Sequence, residues 1–260
     1  MKHTLSYALY AFFLPLLPWL KRQAHHVRRD ALRLPDAIGQ AEPPSNGAPY
    51  FLHLGESTVT GVGVEHIHDG FTAQLAQQLQ QRHQQSIAWQ HYGITGITAN
   101  GLLKKLSEND AALPALSEQP PALLIITLGV NDTTGMTSNR RWQTALEALV
   151  QRVANEQTHV VFTQIPPMHA FPALPSPLNW FLGLRAWQLD QQLRQACARH
   201  GWQYLAMTGA LEPQWMAADG YHPNAQGYRR WAEDAAARLH WSPSSDSPVP
   251  SNTTNDRAAL

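Results

Sequence analysis

The segment from Ala122 to Leu128 is the feature that most restricts how this chain folds. It consists of Ala-Leu-Leu-Ile-Ile-Thr-Leu and shows no alternation of polar and apolar residues. A strand of this composition is buried on both faces, as happens in parallel sheets that are covered by helices on either side. The segment therefore predicts a central strand of a parallel sheet in a layered α/β domain.

Four other short segments with strand character alternate with segments of helical periodicity. The strand segments are 49–54, 86–92, 159–165 and 202–207, and the helical ones are 66–83, 98–106, 141–155, 179–200 and 224–239. Such alternation is typical of βαβ units, so the pattern predicts five parallel strands with helices on both faces of the sheet. In open sheets of this kind, ligands bind beyond the carboxyl ends of the strands.

The N-terminal segment, residues 1–33, differs from the rest of the chain. Residues 5–20 are uncharged and mostly apolar, and a basic cluster between Lys21 and Arg33 follows them. Roughly 20 apolar residues are needed to cross a bilayer, and this run is slightly short and contains two prolines, which weaken a helix. We therefore expect a membrane anchor or interfacial segment rather than a signal peptide, with a helix packed on the domain as the alternative. The positive-inside rule would place the basic flank on the cytoplasmic side.

Composition also sets the other boundaries. Residues 34–48 are rich in Pro, Gly and Ala and predict a linker, residues 49–240 form the predicted domain, and residues 241–260 have the composition of a disordered tail. A length of 260 residues suits one domain of this size. Basic and acidic residues balance at 19 each, which gives no indication of nucleic-acid binding, and the single cysteine, Cys197, excludes an internal disulfide.

Three polar motifs lie at the ends of predicted strands or before a predicted helix, on the same edge of the sheet. Ser57 follows the first strand, Asn131 follows the third, and Asp219 and His222 precede the last helix. The serine supplies a nucleophile, the asparagine an amide donor for an oxyanion, and the histidine a general base. An aspartate three residues before a histidine can accept from one ring nitrogen and leave the other free to take a proton. Each motif alone also fits a turn or a helix cap, but together they indicate a hydrolytic site.

Other kinds of site have less support. His66, His68 and Asp69 do not show a strong metal-ligand spacing, so we expect surface residues and no metal. The segment Gly55–Gly63 lacks the Gly-Lys-Ser/Thr of a phosphate-binding loop, and Ser57 is not within a Gly-x-Ser-x-Gly elbow. His53 is expected to be a strand histidine packed near the site.

Four blocks of the chain resemble the SGNH, or GDSL-type, hydrolase family. They are Leu54–Ser57 with Gly61 beyond it, Gly93–Thr98, Leu128–Asp132 and Asp219–Asn224, in the family's order and within residues 49–240. The resemblance implies a flavodoxin-like three-layer α/β/α fold, esterase or lipase activity on acyl or acetyl esters, and no cofactor or metal. It assigns Ser57 as nucleophile and Asp219 and His222 as its triad partners. The implied oxyanion hole consists of the backbone N–H groups of Ser57 and Gly96 and the side chain of Asn131; glycine there lets the backbone approach a ligand closely.

One residue departs from the family pattern, because Glu56 stands where aspartate is usual. The extra methylene could alter the turn that holds Ser57, but we expect activity to survive, since Glu56 is not a triad member. The expected partner is a small-molecule or lipid ester, with possible membrane contact through residues 5–20. The alternatives are a thioesterase or lysophospholipase on the same site, or a weakly active membrane-attached binding protein. Residues 164–187, rich in proline and aromatic residues, predict either an acyl-chain wall or lid, or packing against the sheet.

Overall fold

Five parallel strands form one sheet at the centre of the described part of the chain. The structure is a computed structural model, and it describes residues 10, 13–41, 50–108, 120–209 and 211–243. The strands are β1 (Tyr50–Gly55), β2 (Ala88–Gly93), β3 (Leu123–Thr127), β4 (His159–Thr163) and β5 (Gln203–Leu205). Their order across the sheet is β2-β1-β3-β4-β5, and every neighbouring pair is parallel. The predicted five-stranded parallel sheet is confirmed.

Helices cover both faces of this sheet. They are α1 (Leu17–Asp30), α2 (Phe71–His83), α3 (Ala99–Glu108), α4 (Val130–Thr134), α5 (Asn139–Val153), α6 (Leu178–His200) and α7 (Ala225–Arg238). Because successive strand residues point to opposite faces, Leu123 and Ile125 of β3 pack in one core with α2 and α7. Leu124 and Ile126 pack in the other core with α3, α5 and α6. The predicted three-layer α/β/α architecture is therefore confirmed.

The observed elements differ from the predicted ones in several places, among them the start of α2 at Phe71 rather than at residue 66 and the end of β4 at Thr163 rather than at residue 165. The short helix α4 was not predicted, because Asn131 and Asp132 also fit a turn. Strand β5 ends at Leu205 rather than at residue 207, since the backbone N–H of Met207 donates to the Gln164 side chain instead of continuing the ladder. Residues 42–48 of the predicted linker and 244–260 of the predicted tail lie outside the described residues.

Helix α1 packs on the domain. Its Leu20 is buried at 3% exposure within the same core as α6, and the Gln23 side chain donates to the Ser176 carbonyl at 2.9 Å. Pro18 lies in the first turn, where the missing N–H removes no helical hydrogen bond. Among the described helices, none is long and apolar enough to cross a bilayer. Residues 5–9, 11 and 12 of the apolar run lie outside the described residues.

The polar interior of the sheet is built around His53 on β1. The side chain is fully buried, with Nδ1 2.7 Å from the Thr72 hydroxyl and Nε2 2.8 Å from the Thr127 hydroxyl. Burial, together with the smaller effect of the nearby His91, lowers the pKa of His53 to about 3. The ring is therefore neutral in the folded protein over a pH range in which an unfolded chain would protonate it.

This difference predicts acid lability. The unfolded state binds a proton at His53 that the folded state does not bind, so the free energy of unfolding should rise as pH rises from about 4 to about 6. Relative to a His53→Gln variant, the expected slope is about 1.4 kcal/mol per pH unit. Urea denaturation at several pH values measures it, with the exposed His25→Gln as control. Parallel curves for wild type and His53→Gln would contradict the prediction.

Candidate active site

The carboxyl ends of three adjacent strands place the predicted site residues at one edge of the sheet. Gly55 at the end of β1 is in register with Gly93 of β2 on one side and Thr127 of β3 on the other. The chain leaves β1 toward Ser57, leaves β2 toward Gly96, and leaves β3 toward α4. The next two strands along the chain, β2 and β3, pair with β1 on opposite sides. The carboxyl end of β1 is therefore a topological switch point, where sheets of this kind bind ligands.

Ser57, His222 and Asp219 form a continuous hydrogen-bonded chain. Nε2 of His222 lies 2.7 Å from Oγ of Ser57, and Nδ1 lies 2.6 Å from Oδ2 of Asp219. An ionised carboxylate only accepts hydrogen bonds, so Nδ1 carries the ring proton and Nε2 accepts from the serine hydroxyl. The structure therefore brings together a hydroxyl, an imidazole and a carboxylate from segments 165 residues apart.

A tight turn before α7 holds the imidazole against the carboxylate. Oδ1 of Asp219 accepts from the backbone N–H groups of Tyr221 at 2.9 Å and His222 at 3.1 Å. Burial by itself disfavours ionisation of Asp219, but hydrogen bonds from the His222 ring and from these N–H groups hold its pKa below the usual value. Asn224 caps α7 by accepting from the N–H of Gly227 at 3.0 Å. The three-residue spacing thus leaves Oδ2 for the ring and Oδ1 for the backbone.

The predicted oxyanion donors lie around the same cavity as Ser57 and His222. Gly96, Asn131, Ser57 and His222 all contribute to its lining. Gly96 has φ +83°, a left-handed conformation that side chains other than glycine adopt at a cost, although a Cβ there would meet no atom within 4 Å. Its glycine is thus required by the backbone conformation rather than by crowding.

Glu56 connects the serine loop to Asn131, a contact that the sequence did not predict. Its buried carboxylate accepts from the backbone N–H of Val130 at 3.0 Å and of Asn131 at 3.1 Å, and from the side-chain amide of Asn131. Burial raises the pKa of Glu56 to about 7 against the opposing effect of these N–H groups. One amide hydrogen of Asn131 is therefore directed to Glu56, and this hydrogen bond fixes the rotation of the side-chain amide. The other hydrogen is left for an acceptor in the cavity that Asn131 lines.

Asp132 has a structural role that the sequence also did not predict. It is fully buried, and Oδ2 accepts from the backbone N–H of Ala99, the first residue of α3, at 2.9 Å. A carboxylate at this position satisfies a free N–H of the helix and is stabilised by the helix dipole. It ties the segment after β2, which carries Gly96, to the segment after β3, which carries Asn131.

The cavity beside Ser57 has a volume of about 670 Å³ and a mostly apolar lining. That size is within the range of small-molecule sites. Segment 164–187 contributes Met168, Phe171 and Leu174 to the wall, while Ile165 is buried in the core and Trp180 is exposed. The segment therefore serves in part as cavity wall and in part as packing.

The histidine pair before α2 lies away from these residues. His66 precedes the 3₁₀ turn Ile67–Asp69, which contains His68, and that turn leads into α2. Within the ranges that the structure describes, no group of three His, Cys, Asp or Glu side chains is arranged to hold a metal ion.

The family of this chain is identified by a family model. A model of the GDSL-like lipase/acylhydrolase family matches residues 53–230, well over half of the chain. A comparison with curated protein sequences finds no match.

Solved structures share the fold at low sequence identity. The psychrotrophic esterase EstA from Pseudoalteromonas sp. is 21% identical with a TM-score of 0.51, covering 72% of this chain and 94% of its own. The lipase Lip_vut3 from a goat rumen metagenome is 14% identical with a TM-score of 0.57, covering 73% and 97%. A member of the lipolytic protein G-D-S-L family from Veillonella parvula is 19% identical with a TM-score of 0.56, covering 74% and 100%. With the family match across the strands and loops that carry Ser57 and His222, the chain belongs to the GDSL-like lipase/acylhydrolase family.

Proposed function

We propose that this protein is a serine hydrolase that cleaves carboxylic esters through an acyl-enzyme on Ser57. The observation that carries this proposal is the hydrogen-bonded chain from Ser57 through His222 to Asp219, with distances of 2.7 and 2.6 Å. Membership of the lipase/acylhydrolase family supports hydrolysis of acyl esters in general. The position of Ser57 and His222 in the wall of the apolar cavity supports an ester as the substrate.

In the proposed reaction, Oγ of Ser57 attacks the ester carbonyl while Nε2 of His222 takes the hydroxyl proton. The tetrahedral oxyanion accepts hydrogen bonds from the N–H groups of Ser57 and Gly96 and from the Asn131 amide. His222, now protonated and stabilised by Asp219, gives its proton to the leaving alcohol. Water then attacks the acyl-enzyme with His222 as base, which releases the acid and regenerates Ser57.

Two measurements test the proposal. Hydrolysis of p-nitrophenyl acetate and butyrate tests turnover, with an acyl thioester assayed in parallel to show whether oxygen or sulfur esters are preferred. A fluorophosphonate probe tests the nucleophile, because it should form one adduct that peptide mass spectrometry locates on Ser57. A well-folded protein that hydrolyses none of these substrates and forms no adduct would refute the proposal.

Loss of the Asn131 amide should slow the chemical step. Removing one oxyanion donor costs roughly 10²- to 10³-fold in kcat, and we expect a loss in that range for Asn131→Ala with little change in KM. Glu56 keeps two backbone donors in this variant, so its unfolding temperature should stay close to that of the wild type. Steady-state kinetics on p-nitrophenyl acetate check this, and a decrease in kcat of less than about threefold would remove Asn131 from the proposed oxyanion hole.

We also propose that the N-terminal segment contacts a membrane surface. Leu14, in the turn before α1, is 61% exposed and Trp19, in the first turn of α1, is 51% exposed. The helix also carries exposed basic residues, among them Lys21 and Arg22. Apolar side chains next to basic residues favour the interface of an anionic bilayer. The positive-inside rule places this flank, and the domain, on the cytoplasmic side under this proposal.

Vesicle binding tests the membrane proposal. The full-length protein should sediment with vesicles of mixed anionic and zwitterionic phospholipid, and less so at high salt, because salt screens the basic flank. Trp19→Ala should weaken binding, while Trp187→Ala, which removes a 41% exposed tryptophan from α6, is the matched control. Equal sedimentation of wild type and Trp19→Ala, or none at low salt, would contradict the proposal.

A further inference from the structure

Helix α1 precedes residues 53–230, the part of the chain that the family model matches. At its N-terminal side the chain is attached to α6, where the ring of Phe13 meets Phe181 edge-on at 5.5 Å. Gln23, near the middle of α1, donates to the Ser176 carbonyl just before α6. The first half of α1 is therefore held on the wall formed by segment 164–187.

The chain that follows α1 is attached on the other side of the site. Oδ1 of Asp36 accepts from the hydroxyl groups of Thr60 at 2.8 Å and Thr95 at 2.6 Å, and the N–H of Ala37 donates to the Thr60 carbonyl at 2.9 Å. Thr60 lies three residues beyond Ser57, and Thr95 immediately precedes Gly96. The segment is thus tied at one end to α6 and at the other to the two loops that carry the nucleophile and an oxyanion donor.

Between these attachments, α1 turns a mostly apolar face toward the cavity, which Lys21 and Arg28 also line. Leu17, Leu20, Ala24 and Val27 lie along this face and line the same cavity as Ser57. Their spacing of three and four residues places them on one stripe of the helix. Leu20 is buried, but the other three are only half-buried, because their exposed surface faces the cavity rather than the core.

The wall on which α1 is held is also apolar. Phe171 and Leu174 come from the loop before α6, and Leu178 and Leu182 come from α6 itself. Each of these four side chains is buried at 8% exposure or less. An apolar chain in this cavity would contact hydrocarbon from α1 and from this wall, and each buried methylene would contribute about 0.8 kcal/mol, which is about fourfold in kcat/KM.

We propose that α1 forms one wall of an acyl-chain binding site, and that the substrate is an ester of a medium- or long-chain fatty acid. This inference rests on the proposed function, because Ser57 determines where the acyl carbonyl lies. The acyl chain is the occupant because it becomes bonded to Ser57 in the first chemical step and is released only in the second, while the alcohol leaves in the first.

The wild-type enzyme supplies the first test. The substrates are p-nitrophenyl acetate, butyrate, octanoate and dodecanoate, each below the concentration at which it forms micelles. Along this series kcat/KM should rise by up to about fourfold for each methylene that enters the cavity. Acetate esters of butanol and octanol should show no comparable rise. A flat acyl series, or a rise that follows the alcohol instead, would overturn the inference.

Substitutions on α1 supply the second test. Ala24→Trp fills the cavity from the α1 side and should lower the ratio of dodecanoate to acetate kcat/KM by at least about tenfold, the contact of two methylenes. His25→Trp places the same ring at the adjacent exposed position, which does not line the cavity, and should keep the wild-type ratio. Val27→Asn adds polarity without bulk and should also lower the ratio. It replaces Ala24→Trp in this test if Ala24→Trp does not fold. If α1 only stabilised the domain, all esters would be affected equally and the ratio would not change.

Binding of the product separates failure of this inference from failure of the proposed function. Calorimetry with dodecanoate on the Ser57→Ala protein needs no turnover, and Ala24→Trp in that background should weaken binding by at least about tenfold while His25→Trp does not. Hydrolysis of acetate without chain-length dependence would reject the acyl site and keep the esterase. Dodecanoate binding that responds to Ala24→Trp without any ester hydrolysis would reject the esterase and keep the site. Equal binding by both variants would reject the site.

Discussion

Replacing Ser57 by alanine is expected to lower kcat/KM for p-nitrophenyl acetate by about 10⁵- to 10⁶-fold. The change removes the proposed nucleophile, so water would have to attack the ester directly without an acyl-enzyme. The side chain is small and its hydroxyl bonds to the His222 ring, so the fold should be kept. The remaining oxyanion donors would still support a residual rate above that in water.

Stopped assays at high enzyme concentration measure a loss of this size. Ser107→Ala is the control, because this exposed serine on α3 donates to the Leu103 carbonyl of its own helix, and it should retain wild-type kinetics. A Ser57→Ala protein that keeps more than about 1% of the activity would show that another group carries the reaction.

Replacing Asp219 by asparagine is expected to lower kcat by about 10⁴-fold while leaving the local geometry intact. An asparagine amide that donates to Nδ1 of His222 would move the ring proton to Nε2. That nitrogen could then no longer accept the Ser57 proton across the 2.7 Å contact. In the wild type, Oδ2 of Asp219 accepts from Nδ1 of His222 at 2.6 Å. Replacing this acceptor by the donating amide of asparagine therefore reverses the tautomer of the ring.

A double variant tests whether Asp219 acts through the other two residues. Ser57→Ala with Asp219→Asn should be no slower than Ser57→Ala alone, because groups that act as a unit are strongly non-additive. Asp69→Asn, at the turn before α2, should have wild-type kinetics. If the loss of activity in the double variant equalled the product of the two single losses, Asp219 would not act through Ser57 and His222.

The strands were predictable because their signals are local. The run before Gly129 contains one polar residue, Thr127, and no polar–apolar alternation, and the structure buries all five residues of β3. The family was predictable for a related reason, since its motifs are short blocks whose residue types and order are visible in the chain. The family model confirms it over residues 53–230.

Contacts between distant segments were not predictable in the same way. Glu56 was recognised as a departure from the family, yet its hydrogen bonds to Val130 and Asn131 join residues more than 70 positions apart. Asp132 fitted a turn, because its partner at the start of α3 lies 33 positions earlier. A side chain's partner across such a separation depends on strand order and register, which no local pattern contains.

The N-terminal segment shows most clearly the difference between what the sequence predicts locally and what tertiary contacts decide. Its apolar composition and its two prolines are properties of the sequence alone, and they fit either a membrane or a protein surface. The tertiary structure decided that α1 lies over the cavity beside Ser57, because an apolar helix face is buried by whichever hydrophobic surface the fold brings within reach. The residue types of the proposed site were thus determined by the sequence, and the shape of the space around them by the way distant segments pack.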